Sequence, residues 1–158
     1  FEKNGAVRLW DVKTQQVRGK PVRLTGAFSD LQFRPDGKIL VAATANGTVR
    51  ILETATGEPV GSALAHQSQN SRAPIIAFTP EGLLVTGGFN GCYFWDPTTS
   101  QPAEEALPYS GAVTSVAISP RGSIWIAGSN RMATLWDAPR GLAHGKPILH
   151  RAGGQSVA

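Results

Sequence analysis

The sequence predicts an all-β chain of repeated four-stranded antiparallel sheets, on three observations. NGAVRLWD (4–11), NGTVRILE (46–53), NGCYFWD (90–96) and NRMATLWD (130–137) align, placing Trp10, Leu52, Trp95 and Trp136 42, 43 and 41 residues apart; a fixed period of this size marks a repeat architecture. LQFRPDGKILVAAT (31–44), IIAFTPEGLLVTGG (75–88) and VAISPRGSIWIAGS (116–129) keep the same step, each with Pro-x-Gly inside an apolar stretch. Eighteen glycines and 11 prolines run through all 158 residues, which suits many short strands joined by tight turns.

The elements follow in order. Pro35, Pro80 and Pro120 set φ at the first corner of a turn, and Gly37, Gly82 and Gly122 accept positive φ at its end, so each apolar stretch is a hairpin of first and second strands. Asn46-Gly47, Asn90-Gly91 or Asn130-Arg131 then leads into a third strand; the first two are the dipeptide most favoured in type I′ hairpin turns. The third repeat has one residue fewer between its Asn and its Trp, which predicts an irregular upper hairpin there. Polar connections such as TATGEP (54–59) and PTTSQP (97–102) lead to KPVRL (20–24), PVGSAL (59–64) and KPILH (146–150), weakly apolar pieces whose prolines suit a fourth, edge strand.

With first and second strands apolar on both faces, one such sheet cannot stand alone. Stacked around an axis, neighbouring sheets bury one another, which is the radial repetition of a β-propeller; an open sandwich is the alternative, but it has no need of identical units. The expected organisation is a partial blade at 1–24 (strands three and four), blades at 25–64, 65–108 and 109–150, and the start of a further blade at 151–158. The array is expected to be incomplete, either a segment of a longer propeller or a half that closes with another copy. Its open apolar edges should drive self-association.

Leu-Trp-Asp at 9–11 and 135–137, Phe-Trp-Asp at 94–96, and the Val-Ala-Ile-Ser-Pro and Pro-Asp-Gly elements resemble WD repeats over essentially the whole chain. The resemblance implies that Trp10, Trp95 and Trp136 close third strands and are followed by Asp11, Asp96 and Asp137. It also implies, in many blades, a hydrogen-bonded set of that Trp with a His, a second-strand Ser or Thr and an upper-turn Asp. Here no Gly-His occurs, and Asn4, Asn46, Asn90 or Asn130 stands in place of the aspartate. His66, His150 and Ser129 are the nearest surviving members. Leu52-Glu53 replaces Trp-Asp and offers no indole N–H.

The resemblance further implies a non-catalytic platform that presents loops to a protein or peptide. The aspartates mostly occupy repeat positions, and no Ser–His–Asp arrangement, His pair at ligand spacing or phosphate-cradling glycine loop occurs, so no enzyme, metal or cofactor is expected. The single Cys92 excludes an internal disulfide, no apolar run reaches the ~20 residues of a membrane helix, and the N-terminus lacks signal-peptide order; a cytoplasmic, non-membrane protein is expected. A net charge of +4 with no Lys/Arg run leaves nucleic acid or another polyanion as the alternative partner. Phe28, Arg72, Tyr109, Asn130 and Arg131 fall in the upper loops and are the candidate partner contacts, because loops on a rigid scaffold carry recognition. Phe28 also aligns with Val113, a reading that makes it first-strand core. HQSQNSR (66–72) is longer and more polar than TGA (25–27) and YSGA (109–112), as tolerated drift or a recognition loop would be.

Overall fold

The computed structural model describes residues 6–65, 74–121, 123–128, 132–137 and 142–149, and among them every regular element is a strand. The chain divides into two compact units: residues 1–74 with 97–100, and residues 75–96 with 101–158. All strand pairs are antiparallel, as expected where short connections join successive strands.

In the first unit β1 (Ala6–Asp11) pairs with β2 (Gln16–Arg23), and a second sheet runs in the order β3 (Phe28–Phe33), β4 (Ile39–Thr44), β5 (Thr48–Glu53), β6 (Leu64–Ala65). β4 is buried at all six positions, as its unbroken ILVAAT sequence demands. Val7 packs on Leu40, Ala42 and Leu52, with Leu9, Val22, Leu24 and Phe28 around them, so one sheet covers the apolar face of the other. β3 departs from the expectation of a strand apolar on both faces. Leu31 and Phe33 are 46% and 58% exposed. They pair with Ala42 and Leu40 and share their face, but β1 and β2 cover only part of it.

The turns follow the expected pattern at one end of the sheets and depart from it at the other. Gly37 (φ 70°) and Gly82 (φ 91°) close their Pro-x-Gly turns by donating to the carbonyls of Arg34 and Thr79. The Asn46-Gly47 turn is not type I′: Gly47 has φ 89° while Asn46 is not among the positive-φ residues, and Gly47 N donates to Thr44 O at 3.0 Å. This is a three-residue turn ending in a left-handed glycine. It holds because Asn46 has other work: its Oδ1 accepts from Thr44 Oγ1 and Thr48 N, and its Nδ2 donates to the Thr25 carbonyl.

The second unit joins β7 (Ile75–Phe78), β8 (Leu84–Asp96), β9 (Gln101–Ile118), β10 (Ser123–Gly128) and β11 (Met132–Asp137), with β12 (Leu142–Ala143) and β13 (Ile148–Leu149) both against β11. β8 is long but not straight. Trp95 Nε1 donates to Thr86 Oγ1 at 2.7 Å, whereas nine residues of extended chain span about 30 Å, so β8 folds back on itself as a second and third strand. Its pairing with β9 shifts register at Phe89/Gly91, Cys92/Phe94 and Phe94/Trp95. β9 likewise runs without a loop from its pairing with β8 to its pairing with β10. Val85, Cys92, Phe94, Leu107, Tyr109, Val113, Ile124 and Ile126 form the core, with Trp136 against it. Burial pushes the Cys92 thiol up to about 12, so it stays neutral.

Trp10, Leu52, Trp95 and Trp136 all stand next to last in corresponding strands, paired with Val17, Pro59, Pro102 and Ala143. Only their surroundings differ. Trp95 has the fully buried Thr86 as its hydroxyl partner. The matching position in the last sheet is Ile126, and Trp136 Nε1 is buried with no hydrogen-bond partner among the described residues. Thr86→Val keeps the shape and deletes the acceptor, so it should lower stability by about 0.5–1.5 kcal/mol, the net worth of one hydrogen bond. Urea denaturation of the two proteins checks this, and an unchanged midpoint would count against it.

Candidate interaction surface

Of the five expected contact residues, two lie among the described residues, and both pack in apolar cores. Phe28 is partly buried and packs on the Val7–Leu40–Leu52 cluster, the first-strand core position its alignment with Val113 also allowed. Tyr109 stands in strand β9 instead of a loop, is 6% exposed, and donates its hydroxyl to the Met132 carbonyl at 2.7 Å. Leu107, Tyr109 and Val113 are all buried along β9, which explains why the chain stays extended where a loop was expected. Arg72, Asn130 and Arg131 lie outside the described residues, as do His66, Ser129 and His150.

The signature aspartates begin the turns at the other end of the sheets. Asp11 accepts from the amides of Lys13 (2.9 Å) and Thr14 (3.0 Å) and pairs with Arg18. The Thr14 amide and then the Arg18 guanidinium hold its carboxyl at about 2, below the usual 3.8. Gln15 closes that turn with φ 55°, and Gly57 (φ 75°) and Ser100 (φ 61°) recur 42 and 43 residues on. These three positions keep the period of the tryptophans, yet only one is glycine, so composition did not announce them. Glu53, where the repeat has Asp, instead accepts from Thr56 Oγ1 at 2.7 Å. Asp96 and Asp137 end β8 and β11 at the same repeat position.

Asp36 forms a second acidic turn. Arg34 reaches it through Nε at 2.8 Å and Nη2 at 2.6 Å, and the Lys38 amide adds a bond at 3.0 Å. The Arg34 bonds chiefly, then the Lys38 amide, lower its pKa to about 2. A carboxyl depressed on folding supports the fold fully above about 3.8, and that support disappears as pH falls toward about 2. Stability should therefore drop between pH 4 and pH 2, and the drop should shrink in Asp36→Asn. Urea midpoints measured across this window check it, and equal slopes would overturn it.

Between these turns lies an open pocket of about 410 Å³ lined by Leu9, Trp10, Asp11, Val12, Lys13, Arg18, Phe33, Gly37 and Thr54, all in the first unit. Trp10 and Val12 are 59% and 90% exposed. No pattern in the sequence pointed here, because the lining comes from two sheets and from positions assigned to the repeat core. Among the described residues no three His, Cys, Asp or Glu stand together as metal ligands, and no helix is long and apolar enough to cross a membrane.

Comparison with known proteins matches residues 3–81, half of the chain, to the Anaphase-promoting complex subunit 4 WD40 domain, and residues 106–137 to the WD domain, G-beta repeat. The chain belongs to the WD-repeat family. Similar WD-repeat relatives include Protein ANTHESIS POMOTING FACTOR 1 of Arabidopsis thaliana, 28% identical over 84% of this chain and 41% of that protein. An uncharacterized WD repeat-containing protein of Synechocystis is 28% identical over 78% of this chain and 35% of its own length. The chain thus spans well under half of the curated relatives it matches. In structure it resembles the computationally designed Ika8 protein, with TM-score 0.80 at 21% identity over 98% of this chain and 46% of that one. The designed Ika4 protein follows at 0.68 and 20% over 84% and 79%. The fold is that of an incomplete WD-repeat propeller, all-β with antiparallel sheets. WD-repeat domains in general mediate protein interactions.

Proposed function

We propose that this WD-repeat segment is a non-catalytic interaction module that presents its inter-strand loops to a protein or peptide partner. The observation that carries the reading is where the signature side chains go. Trp95 is bonded to Thr86, Asp11 caps its own turn, and Phe28 and Tyr109 pack in cores, so the repeat's conserved-looking chemistry is spent on holding strands. Recognition then belongs to the upper loops, between and within repeats, Arg72, Asn130 and Arg131 among them. One matched family model and one matched protein carry names of subunits, of the anaphase-promoting complex and of eukaryotic translation initiation factor 3, which suits a part that works inside larger assemblies.

Selection of a phage-displayed dodecamer library on the whole chain tests the reading. Clones that bind the wild-type chain and lose binding to Arg72→Glu/Arg131→Glu support it; a library with no binder, or binders indifferent to both changes, overturns it. The exposed Leu31 and Phe33, and the edge of β1 that pairs with no strand among the described residues, should also make the chain self-associate. Sedimentation velocity should show species heavier than a monomer growing with concentration, and a clean monomer at all concentrations refutes this.

A further inference from the structure

The chain's net charge is carried at one place. Residues 1–23 hold six Lys and Arg against two Asp and Glu, whereas residues 24–158 hold nine of each. Folding gathers this imbalance on one two-stranded ribbon, with Arg18 on the face of Leu9 and Arg23 on the opposite face beside Ala6. Arg8, Lys13, Arg18, Lys20 and Arg23 are all exposed on β1, β2 and the turn between them. Asp11 is the one carboxylate among them in the described residues, and Arg18 engages it. Lys13, Lys20 and Arg23 have no carboxylate partner among the described residues.

Two further features adjoin this strip. The outer edge of β2 carries no strand among the described residues. Pro21, the displaced register around Gly19 and the Thr56–Gly57 turn beside Arg18–Lys20 interrupt that edge, which leaves its start at Gln16 and Val17 as the part able to pair. Beside it opens the pocket whose lining mixes Arg18 and Lys13 with the apolar Leu9, Val12 and Phe33. A free strand edge offers alternating N–H donors and C=O acceptors, which an extended peptide can match. A phosphodiester chain offers acceptors alone and cannot.

We propose that this surface binds an extended acidic peptide segment of a protein partner, with one large apolar side chain in the Leu9–Phe33 pocket and carboxylates against Lys13, Lys20 and Arg23. The proposal rests on the reading of the chain as a protein-interaction module and adds to it a second surface with a stated partner chemistry. Strands added to the free edge of β1 would lie on the side of that strand away from β2, so they would leave the strip open.

The test uses a fluorescein-labelled twelve-residue peptide of alternating Glu and Ser with a central Leu, followed by anisotropy against the whole chain. Binding is expected, weakening as salt rises because exposed charges are screened. Lys13→Glu/Lys20→Glu/Arg23→Glu should weaken it at least about tenfold, and Leu replaced by Ser in the peptide should weaken it as well. The three positions are exposed, so the variant's circular dichroism and melting should match wild type. Equal binding to wild type and the triple variant, equal binding of a Gln-for-Glu peptide, or displacement by unlabelled oligouridine would each overturn the proposal, the last by giving the strip to nucleic acid. A peptide indifferent to the triple reversal but released by Arg72→Glu/Arg131→Glu would sink the strip and leave the loop reading standing.

Discussion

Leu52→Ala should lower the unfolding free energy by about 2–5 kcal/mol, the range for emptying a leucine site in a packed core. Leu52 is fully buried on β5 and forms one cluster with Val7, Leu40 and Ala42, so its side chain lies where the β1–β2 pair meets the four-stranded sheet. A two-stranded ribbon is at best marginal alone in water. The pair β1–β2 therefore depends on this contact more than on its own hydrogen bonds, and the truncation should loosen it first. Urea unfolding followed by circular dichroism gives the total loss, and hydrogen exchange of the β1 amides reports the local one. A loss below about 1 kcal/mol, well under the usual leucine-to-alanine range, would mean that the two sheets do not share a core.

Gly19→Ala should be the most damaging glycine change in the first unit. Gly19 has φ +65°, and a Cβ there would sit 2.1 Å from the Thr56 carbonyl oxygen. The left-handed conformation alone costs a non-glycine residue roughly 1–2 kcal/mol. The clash adds to that, because both partners are backbone and neither can swing aside. Gly37 supplies the control, with φ +70° and nothing within 4 Å of its added Cβ. Gly37→Ala should show the conformational cost and no more. Measured side by side in urea, Gly19→Ala must lose clearly more than Gly37→Ala; equal losses would remove the close approach of β2 to the Thr56–Gly57 turn.

The repeat was readable because each unit solves the same problem with the same residue types. Trp10, Leu52, Trp95 and Trp136 stand in matching strands, and the Pro-x-Gly turns at Pro35 and Pro80 close as their residue types require. Other features were misread for physical reasons. Asn-Gly suggested a two-residue turn, but the Asn46 side chain gains three hydrogen bonds in the longer one. Tyr109 looked like a loop residue because Ser110-Gly111 follows it, yet its ring fills the core and its hydroxyl finds Met132 O.

Sequence alone settled the period, the strand type, the four-strand unit and the family resemblance, because these depend on local alternation and on turn chemistry that neighbouring residues decide. Tertiary structure decided which tryptophan finds a hydroxyl partner among the described residues and which apolar faces are covered. Burial and electrostatic fields depend on distances between residues far apart in the chain. Leu31 is exposed and Leu52 buried though both are leucines in strands, because β1 and β2 reach one and not the other.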